Sequence, residues 1–516
     1  MGNRSGNHGE PRTKKKEKNR EVQHLSLPIY KLTPGQAMAL EMMRAGANVF
    51  LTGEAGTGKS EVIKTFIEVS EREGKQILIM APTGTAADNI GGETIHRVFG
   101  ASIGIQKNNR TLTERKDILR VADIVIIDEI SMCRFDLFEY VARRIAFEND
   151  ERARDRIRAT SGYMDKDEVK ENDLQLIVIG DFYQLPPVMT QDDNAELTAT
   201  YKYDFGKGYA FVSPYWEMMS LTGIILKEVI RQEDKAFKSV LTEIRNSNRN
   251  SLNACIDFLM RNSSDFPMTG DDSIFLIPTN KKCKEINDRE MSKLDAEETE
   301  YIAKVEGDVK STEKFAEDEI ILKEGCKVMT TVNNPSGDYI NGTIGKVIRL
   351  RSDSVDVRLE YGHVITVGKV TKEIKAPVVK KKKVKKFVRQ PVLDDEGNPK
   401  YDEAGRQITE EVLKEIEEET IEHEKVGTFT QLPIKIAYAI TVHKSQGKTF
   451  ERMNLDPYAW DPGQFYTALS RAKKIENICF LNTIRPKFII TSPEVKKFMK
   501  DIEKSQEKVK ELKFEM

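Results

Sequence analysis

Residues 48–60 read Asn-Val-Phe-Leu-Thr-Gly-Glu-Ala-Gly-Thr-Gly-Lys-Ser, and this stretch decides the fold. It begins as an apolar, β-rich run over 48–52 and continues into the pattern Gly-x-x-x-x-Gly-Lys-Ser. Residues 60–73 then repeat apolar side chains at helical spacing, and Gly74 is placed to end that helix. A strand, a glycine-rich loop and a helix in this order predict a phosphate-binding loop.

The lysine and the serine that close this loop have distinct predicted roles. Lys59 is expected to reach the β- and γ-phosphates of a nucleotide, and Ser60 to ligate Mg²⁺. The glycines let backbone N–H groups close on the phosphates. The predicted nucleotide contacts in the loop are Gly53, Glu54, Ala55, Gly56, Thr57, Gly58, Lys59 and Ser60.

Further apolar runs place the loop in a larger sheet. Residues 77–80, 124–127 and 174–179 are β-rich and lack polar alternation, which is typical of parallel strands that are buried on both faces. Helical stretches separate these runs, so the pattern predicts α/β architecture. The first domain is predicted to span 27–225.

Polar residues follow two of the predicted strands. Asp128 and Glu129 come directly after 124–127, and packing explains two adjacent carboxylates poorly at that point. Asp128 is predicted to bind Mg²⁺, and Glu129 to polarise the attacking water. Residues 180–187 follow the next strand as Gly-Asp-Phe-Tyr-Gln-Leu-Pro-Pro, where Gln184 is predicted to sense the γ-phosphate.

A second α/β pattern begins near Leu226 and supplies two candidate arginines, Arg231 and Arg471. Arginines that a second domain delivers across a cleft couple domain closure to hydrolysis. Both are therefore predicted to be catalytic, which favours a motor over other P-loop proteins, although each alone also fits a surface arginine. The strands of this second domain are predicted at 274–277, 434–442 and 478–481, within 226–345 and 428–490.

An insertion, predicted over 346–427, interrupts the second domain. Runs of alternating polarity predict the strands of a small β-barrel, at 346–350, 355–359 and 363–367. Residues 372–389 then hold nine basic residues against one glutamate, and residues 394–424 hold thirteen acidic residues against three basic ones. Because opposite charges on facing strands attract, these stretches are predicted to form two arms of a projecting element with a turn at 395–399.

Composition limits the class of protein. The chain has 516 residues and a net charge of −2, which excludes a uniformly cationic nucleic-acid coat but not a local binding groove. No apolar run is long enough to span a bilayer and no secretory signal is visible, so membrane and secreted proteins are not expected. Five scattered cysteines predict neither a disulfide framework nor a zinc site. Residues 1–26 are predicted to be a disordered basic tail and 491–516 a C-terminal helix.

With these residues placed, the chain resembles superfamily 1B DNA helicases of the PIF type, with RecD-like helicases as near relatives. The resemblance runs from about residue 32 to residue 484, apart from the charged stretch. Its most specific match is 437–447, Ala-Tyr-Ala-Ile-Thr-Val-His-Lys-Ser-Gln-Gly. The other matching segments, besides those above, are 32–36, 81–87, 94–96, 339–345 and 464–472.

The resemblance implies a fold and further site residues. The fold would be two RecA-like P-loop domains with parallel sheets, plus a small SH3-like β-barrel inserted in the second. Gln36 would contact adenine and Gly447 the nucleotide. The implied DNA contacts are Thr85, His96, His443 and Lys444. The strand-separating wedge would lie at about 97–122, which is a short stretch and leaves its identity open.

The resemblance also implies the activity. ATP and Mg²⁺ would be clamped between two domains, and the protein would be an ATP-dependent helicase that moves on single-stranded DNA, 5′-to-3′, in replication, repair or recombination. Its partners would be single-stranded DNA, duplex junctions and replication or repair proteins. It would act as a monomeric motor, without a membrane, in the cytoplasm of a bacterial or phage-infected cell.

The residues leave three alternatives open. A helicase that tracks RNA is compatible with the sequence, because backbone tracking without recognition of the 2′-hydroxyl leaves no sequence signal. A P-loop switch or kinase without a nucleic-acid track is disfavoured by Arg231 and by the block 464–471. A catalytically silent binding module is disfavoured because the predicted catalytic and metal-binding residues are all present, namely Lys59, Asp128, Glu129 and Arg471.

Overall fold

A computed structural model of the chain describes residues 32–101, 104–106, 115–161, 163–164, 169–201, 206–228, 234–359, 362–394, 399–401 and 408–515. The predicted basic tail, the catalytic candidate Arg231, residues 395–398 of the predicted turn at 395–399 and part of the wedge region lie outside these residues. Within the described residues, no helix is both long enough and apolar enough to cross a membrane.

A parallel six-stranded sheet forms the first domain. Its strands are β1 (Val49–Gly53), β2 (Ile77–Ala81), β3 (Glu93–Thr94), β4 (Ile124–Ile127), β5 (Gln175–Ile179) and β6 (Thr222–Leu226). They are ordered β3-β2-β4-β5-β1-β6 across the sheet. Strands β1, β4 and β5 are buried throughout, which is why their sequences are continuously apolar. The side chain of Phe50 packs into one core and those of Val49 and Leu51 into another, so both faces are covered.

Helices connect the strands of the first domain. They are α1 (Pro34–Arg44), α2 (Lys59–Arg72), α3 (Gly84–Ile90), α4 (Ile95–Val98), α5 (Lys116–Val121), α6 (Phe135–Thr160), α7 (Gln191–Tyr201) and α8 (Pro214–Met218). The helix after the glycine-rich loop ends as predicted, because Gly74 adopts a left-handed conformation with φ of +75°. The charged segment from Glu148 onward continues α6 to Thr160.

The remaining strands and helices follow in chain order. The helices are α9 (Lys235–Asn246), α10 (Leu252–Asn262), α11 (Asn280–Ser292), α12 (Gln464–Leu469) and α13 (Pro493–Glu515). The strands are β7 (Ser273–Ile277), β8 (Thr299–Ile302), β9 (Lys304–Gly307), β10 (Glu319–Leu322), β11 (Lys327–Thr330), β12 (Ile344–Leu350), β13 (Ser354–Arg358), β14 (Val364–Gly368), β15 (Val370–Pro391), β16 (Thr409–Gln431), β17 (Ile434–Ile436), β18 (Ala439–Thr441), β19 (Arg452–Leu455) and β20 (Ile478–Phe480).

A parallel four-stranded sheet, ordered β18-β7-β19-β20, forms the second domain. The predicted strand over 434–442 is wrong as a single element. Its first part, β17, joins an antiparallel sheet, and its second part, β18, joins the parallel one. The Ala437 N–H donates to the Lys327 carbonyl between the two. An apolar run without polar alternation fits either sheet, so the sequence does not reveal the change of partner.

An antiparallel five-stranded sheet, ordered β14-β13-β12-β11-β17, is inserted between the strands of the second domain. Its alternating apolar residues form a separate core that includes Val347, Val357 and Val367. Because β11 and β17 belong to it, the sheet extends beyond the predicted interval 346–427 at both ends. Its assignment as SH3-like stays a prediction.

The charged stretch forms a long antiparallel hairpin from β15 and β16, hereafter the charged hairpin (residues 370–431). Pairing runs from Val370 opposite Gln431 to Pro391 opposite Thr409. Lysines on one arm meet glutamates on the other, for example Lys380 with Glu424 at 2.7 Å and Lys382 with Glu422 at 2.5 Å. The hairpin therefore neutralises much of its own charge.

The C-terminal helix α13 returns to the first domain. Phe498 stacks on Phe211 with ring centroids 4.3 Å apart and lies 5.7 Å from Phe182. Ile502 packs over Gly223 of β6, where a Cβ would collide with its side chain. This contact anchors the end of the chain beside the sheet that carries the glycine-rich loop.

Candidate functional site

The glycine-rich loop leaves β1 and enters α2 at Lys59. Gly56 and Gly58 have φ of +83° and +78°, which glycine adopts without strain. The Lys59 ammonium donates to the carbonyls of Gly53 at 2.9 Å and Glu54 at 3.2 Å. Burial lowers the pKa of Lys59, and the nearby carboxylate of Asp181 opposes that effect. Lys59, the only side-chain cation of the loop, is therefore hydrogen-bonded to the main chain of the same loop.

Helix α1 brings Gln36 to the same loop. Thr33 and Gln36 form a reciprocal N-terminal capping box, which fixes the start of the helix. The Gln36 side-chain amide donates to the Thr57 carbonyl at 3.1 Å and is buried. The structure therefore places Gln36 beside the loop, and its contact with adenine stays a prediction.

The two carboxylates after β4 are buried next to each other. Asp128 accepts a hydrogen bond from the Glu129 N–H at 2.8 Å, and Glu129 has a left-handed backbone with φ of +50°. Burial and then the neighbouring Glu129 raise the pKa of Asp128 to about 7. Burial also raises the pKa of Glu129, against the opposing charges of Lys59 and Arg471. Two adjacent buried carboxylates offer oxygen ligands of the kind that a divalent cation prefers.

Asp181, the second residue after β5, pairs with an arginine that the sequence patterns did not single out. Arg245 donates to Asp181 at 2.8 Å, and its guanidinium lies 4.0 Å from the centre of the Tyr183 ring. Arg245 stands at the end of α9 in line with the buried Phe237 and Leu241, at a spacing of four residues. The sequence does contain one signal that could have identified Arg245, because a charged residue in the apolar stripe of a helix needs a buried partner.

Gln184 lies in the segment after Asp181 and is buried. Its carbonyl oxygen packs against Gly463, where a Cβ would overlap it, so the start of α12 rests on this segment. The contact is between main chains. A role for the Gln184 side chain at the γ-phosphate stays a prediction.

Side chains of the second half of the chain reach the glycine-rich loop. The Ala55 N–H donates to the Tyr466 hydroxyl at 3.2 Å. The Thr242 hydroxyl donates to the Glu54 carboxylate, whose oxygens lie 3.0 and 3.1 Å away. Tyr466 is on α12 and Thr242 on α9, one turn before Arg245. Both helices therefore contact the loop directly.

Arg471 lies just beyond α12 and is almost fully buried, at 2% exposed. Its Nε donates to the Thr467 carbonyl at 2.8 Å, and its charge lowers the pKa of Glu129. A second residue of the same half, Gln446, donates from Nε2 to Glu129 at 3.2 Å. The structure thus brings Arg471 and Gln446 to the carboxylate pair; the sequence indicated only the arginine.

The predicted DNA contacts lie on both sides of the cleft. Thr85 is exposed on α3 and His96 lies on α4, whereas His443 and Lys444 precede Gln446. Burial lowers the pKa of both histidines. Gly447 has φ of +76° and faces Asn89 of α3 across the cleft. Its predicted nucleotide contact remains a prediction.

The inserted segments dock on the first domain beside these residues. A docking loop, residues 308–314, surrounds Arg97, which donates to Glu313 at two distances of 2.6 Å and also to Asp308. A Cβ on Gly84 would overlap the Thr312 carbonyl oxygen. The Lys310 ammonium donates to the His96 carbonyl at 3.0 Å. Residues 308–314 carry no sequence motif, so this contact was not predicted.

The charged hairpin touches the first domain at several points, which include a hydrogen bond from the Arg115 side chain to the Pro377 carbonyl. Lys372 pairs with Asp88 of α3 at 2.7 Å, and His423 lies 2.7 Å from Glu93 of β3. The Ile421 N–H donates to the Gln76 side chain at 3.1 Å. The base of the hairpin is thus fixed to the domain that carries the glycine-rich loop.

Comparisons with known proteins agree on one family. The sequence pattern of PIF1-like helicases matches residues 31–254. The chain is 30% identical over 500 residues to the ATP-dependent DNA helicase Pif1 of Bdellovibrio bacteriovorus, covering 92% of this chain and 94% of that protein. The solved structure of Bacteroides sp Pif1 in complex with ADP-AlF4 is similar, with a TM-score of 0.68, 25% identity, and coverage of 92% and 97%. Bacteroides Pif1 bound to ssDNA gives a TM-score of 0.59, 25% identity, and coverage of 91% and 96%.

Proposed function

The chain belongs to the PIF1-like helicase family and is an ATP-dependent DNA helicase, and from this premise we propose how its own residues carry out the reaction. ATP binds at the glycine-rich loop between the two domains. The observation that carries the proposal is that Gln446 and Arg471, from the second half of the chain, reach Glu129 of the first. Hydrolysis then depends on how the two domains sit together.

The glycine-rich loop binds the triphosphate. Its N–H groups and the α2 N-terminus bind phosphate oxygens, and Lys59 bridges the β- and γ-phosphates. Gln36 contacts the adenine. Ser60 and Asp128 would hold Mg²⁺, which neutralises phosphate charge when bound. The buried carboxylate pair fits that role, because carboxylate oxygens are ligands that Mg²⁺ prefers.

Glu129 accepts a proton from the water that attacks the γ-phosphate. Lys59 and Arg471 lie near enough to favour its ionised form. Arg471 stabilises the charge that develops on the phosphoryl group, as arginine fingers do in phosphoryl transfer. Gln184 and Arg231 complete the proposed set of catalytic residues.

Single-stranded DNA lies across both domains at Thr85, His96, His443 and Lys444. Closure and reopening of the cleft move the two pairs relative to each other, so the strand advances as ATP turns over. The proposed direction is 5′-to-3′. The protein acts as a monomer on single strands and duplex junctions in the cytoplasm, with replication or repair proteins as partners.

ATP turnover with and without single-stranded DNA tests this function. Single-stranded DNA should raise turnover of the wild-type protein, and single-stranded RNA of the same sequence should raise it less. Lys59→Ala should lower turnover by more than about 100-fold, because the loop loses its only point charge. Equal stimulation by RNA and DNA would favour an RNA track, and normal turnover of the variant would remove Lys59 from the site.

A further inference from the structure

Gln446 contacts the proposed catalytic base through only one end of its side-chain amide. It follows the turn formed by His443–Ser445, and its backbone N–H donates to the His443 carbonyl at 3.3 Å. Its side chain reaches across the cleft, where Nε2 donates to Glu129 Oε2 at 3.2 Å. Because Glu129 belongs to the first domain and Gln446 to the second, the contact requires the two domains to be together.

The chemistry of the two groups fixes the orientation of the amide. An ionised carboxylate only accepts hydrogen bonds, whereas a glutamine amide has a donor end and an acceptor end. The nitrogen must therefore face Glu129. The other end, Oε1, is buried and has no hydrogen-bond partner among the described residues. A buried acceptor without a partner is costly, so a native site normally supplies a donor.

Gln431, a glutamine of the inserted region far from the cleft, provides a comparison. Gln431 is fully buried in the inserted region, and both ends of its amide are used. Its Nε2 donates to the Tyr301 carbonyl at 2.9 Å, and its Oε1 accepts from the Leu432 N–H at 2.9 Å. Gln446 instead presents an unused acceptor beside the base. A small donor with two hydrogens, such as water, suits this position.

We propose that Gln446 positions the attacking water together with Glu129; this rests on the proposed ATP site. One hydrogen of the water points to Glu129 and the other to Gln446 Oε1, which leaves an oxygen lone pair for the γ-phosphorus. The bond from that oxygen to phosphorus forms while the bond from phosphorus to the β–γ bridging oxygen breaks. Its electron pair leaves with ADP, Glu129 takes the water proton, and inorganic phosphate is released.

This role for Gln446 would make ATP hydrolysis depend on the relative position of the two domains. Glu129 comes from the first domain and Gln446 from the second, so each supplies one acceptor for the same water. Separation of the domains removes one acceptor and leaves the nucleotide bound to the loop. Hydrolysis is then confined to the closed arrangement, in which Arg471 is also near Glu129.

Gln446→Met tests the proposal, because methionine keeps the length of the side chain and removes both polar atoms. We expect kcat to fall by about 100-fold while KM for ATP stays within about 2-fold. The affinity for the transition-state analogue ADP–aluminium fluoride should fall by a similar factor, and the affinity for ADP alone should not change. Gln390→Met is the matched control, since Gln390 donates to Glu410 at 2.9 Å on the charged hairpin, away from the site.

Two results would overturn the inference. A kcat within about 2-fold of wild type shows that Gln446 does not hold the water. Equal losses of affinity for ADP and for ADP–aluminium fluoride show a structural role instead. The proposed function is tested separately, by ATP turnover of the wild type and of Lys59→Ala. If the wild type does not hydrolyse ATP, or if Lys59→Ala hydrolyses it normally, the assignment of the ATP site is wrong, whatever the result for Gln446→Met.

Discussion

Glu129 adopts a left-handed backbone conformation, which is uncommon for a residue with a side chain and marks a constrained position. That conformation turns its carboxylate toward Lys59 and Gln446 at the end of β4. Glu129→Gln should keep the hydrogen-bonding shape but remove the base. We expect kcat to fall by about 10²- to 10⁴-fold with ADP affinity unchanged. Glu451→Gln, which alters an exposed ion pair with Lys473, is the control for the same change.

A comparable loss of affinity and rate in Glu129→Gln, measured by nucleotide binding and steady-state turnover, would indicate that Glu129 only supports the fold. The control variant should behave as wild type in both measurements.

Arg471 has a structural role at the end of α12 and a proposed electrostatic role at Glu129, and a substitution can separate the two. It donates to the Thr467 carbonyl and to the Ser470 hydroxyl, which steadies the end of α12, and its charge acts on Glu129. Arg471→Lys keeps the charge but loses the forked geometry. We expect turnover to fall by about 10³-fold, while binding of single-stranded DNA, measured by fluorescence anisotropy, stays unchanged. An unaltered rate would remove Arg471 from the phosphoryl-transfer step.

At the residue scale, the sequence predicted groups that lie in one short motif. The loop 53–60, the pair Asp128 and Glu129, and Arg471 follow from local spacing. Arg245, Tyr466 and Gln446 were not assigned roles, although two of them lie in quoted motifs. Their contacts with Asp181, Ala55 and Glu129 join residues far apart in sequence. No local pattern encodes which distant group a side chain meets.

At the element scale, charge patterning revealed the two arms of the charged hairpin but not what the hairpin touches. Complementary charges indicate that two strands attract, and the register from Val370 to Pro391 agrees with that. The contacts of Ile421 and His423 with the first domain involve ordinary polar residues. The same limit applies to 434–442, where one apolar run serves two sheets.

The distal hairpin can be shortened without touching its base. Residues 384–416 would be replaced by a two-residue Asn-Gly turn between Lys383 and Glu417. These two residues face each other across the hairpin, so a tight turn can join them directly. Because the removed segment holds eight acidic and six basic residues, it offers no net positive charge to DNA, and we expect DNA affinity to keep nearly the same salt dependence as wild type. The measurement is binding of single-stranded DNA over a range of salt concentrations. The slope is that of the logarithm of the binding constant against the logarithm of the salt concentration. If the shortened protein gives a slope shallower by about one or more, basic residues of the removed segment contact phosphates.

ATP turnover is the internal control for the shortened hairpin. It should be retained, since none of the proposed catalytic residues lies within 384–416. Loss of turnover would mean that the hairpin supports the cleft in a way that its contacts do not reveal.

At the scale of the whole molecule, the His423–Glu93 contact joins the inserted hairpin to the first domain. The hydrogen bond with Glu93 raises the pKa of His423, against burial and the charge of Lys375. A raised pKa in the folded state means that the contact stabilises docking below the ordinary histidine pKa. This contribution is lost as the pH rises through the folded value.

Hydrogen exchange at the Ile421 amide, which donates to Gln76, reports this docking. Protection, after correction for intrinsic exchange, should be greater at about pH 6 than at about pH 8 in the wild type. His423→Gln should remove most of that difference, and an equal pH dependence in both proteins would show that another group controls the docking. Amides of β13, in the inserted sheet, provide the internal reference.

The docking loop and the base of the charged hairpin together close over α3 and α4, through Arg97, Asp88 and Glu93. If the strand lies between Thr85 and Lys444, we expect these contacts to close the opening around it. A linear strand has a free end that can be threaded into such an opening, but a covalently closed circle has none. Circular strands can then enter only while these ion pairs are broken. The loading rate of circles, compared with that of linear strands of equal length, therefore measures how often the ion pairs break.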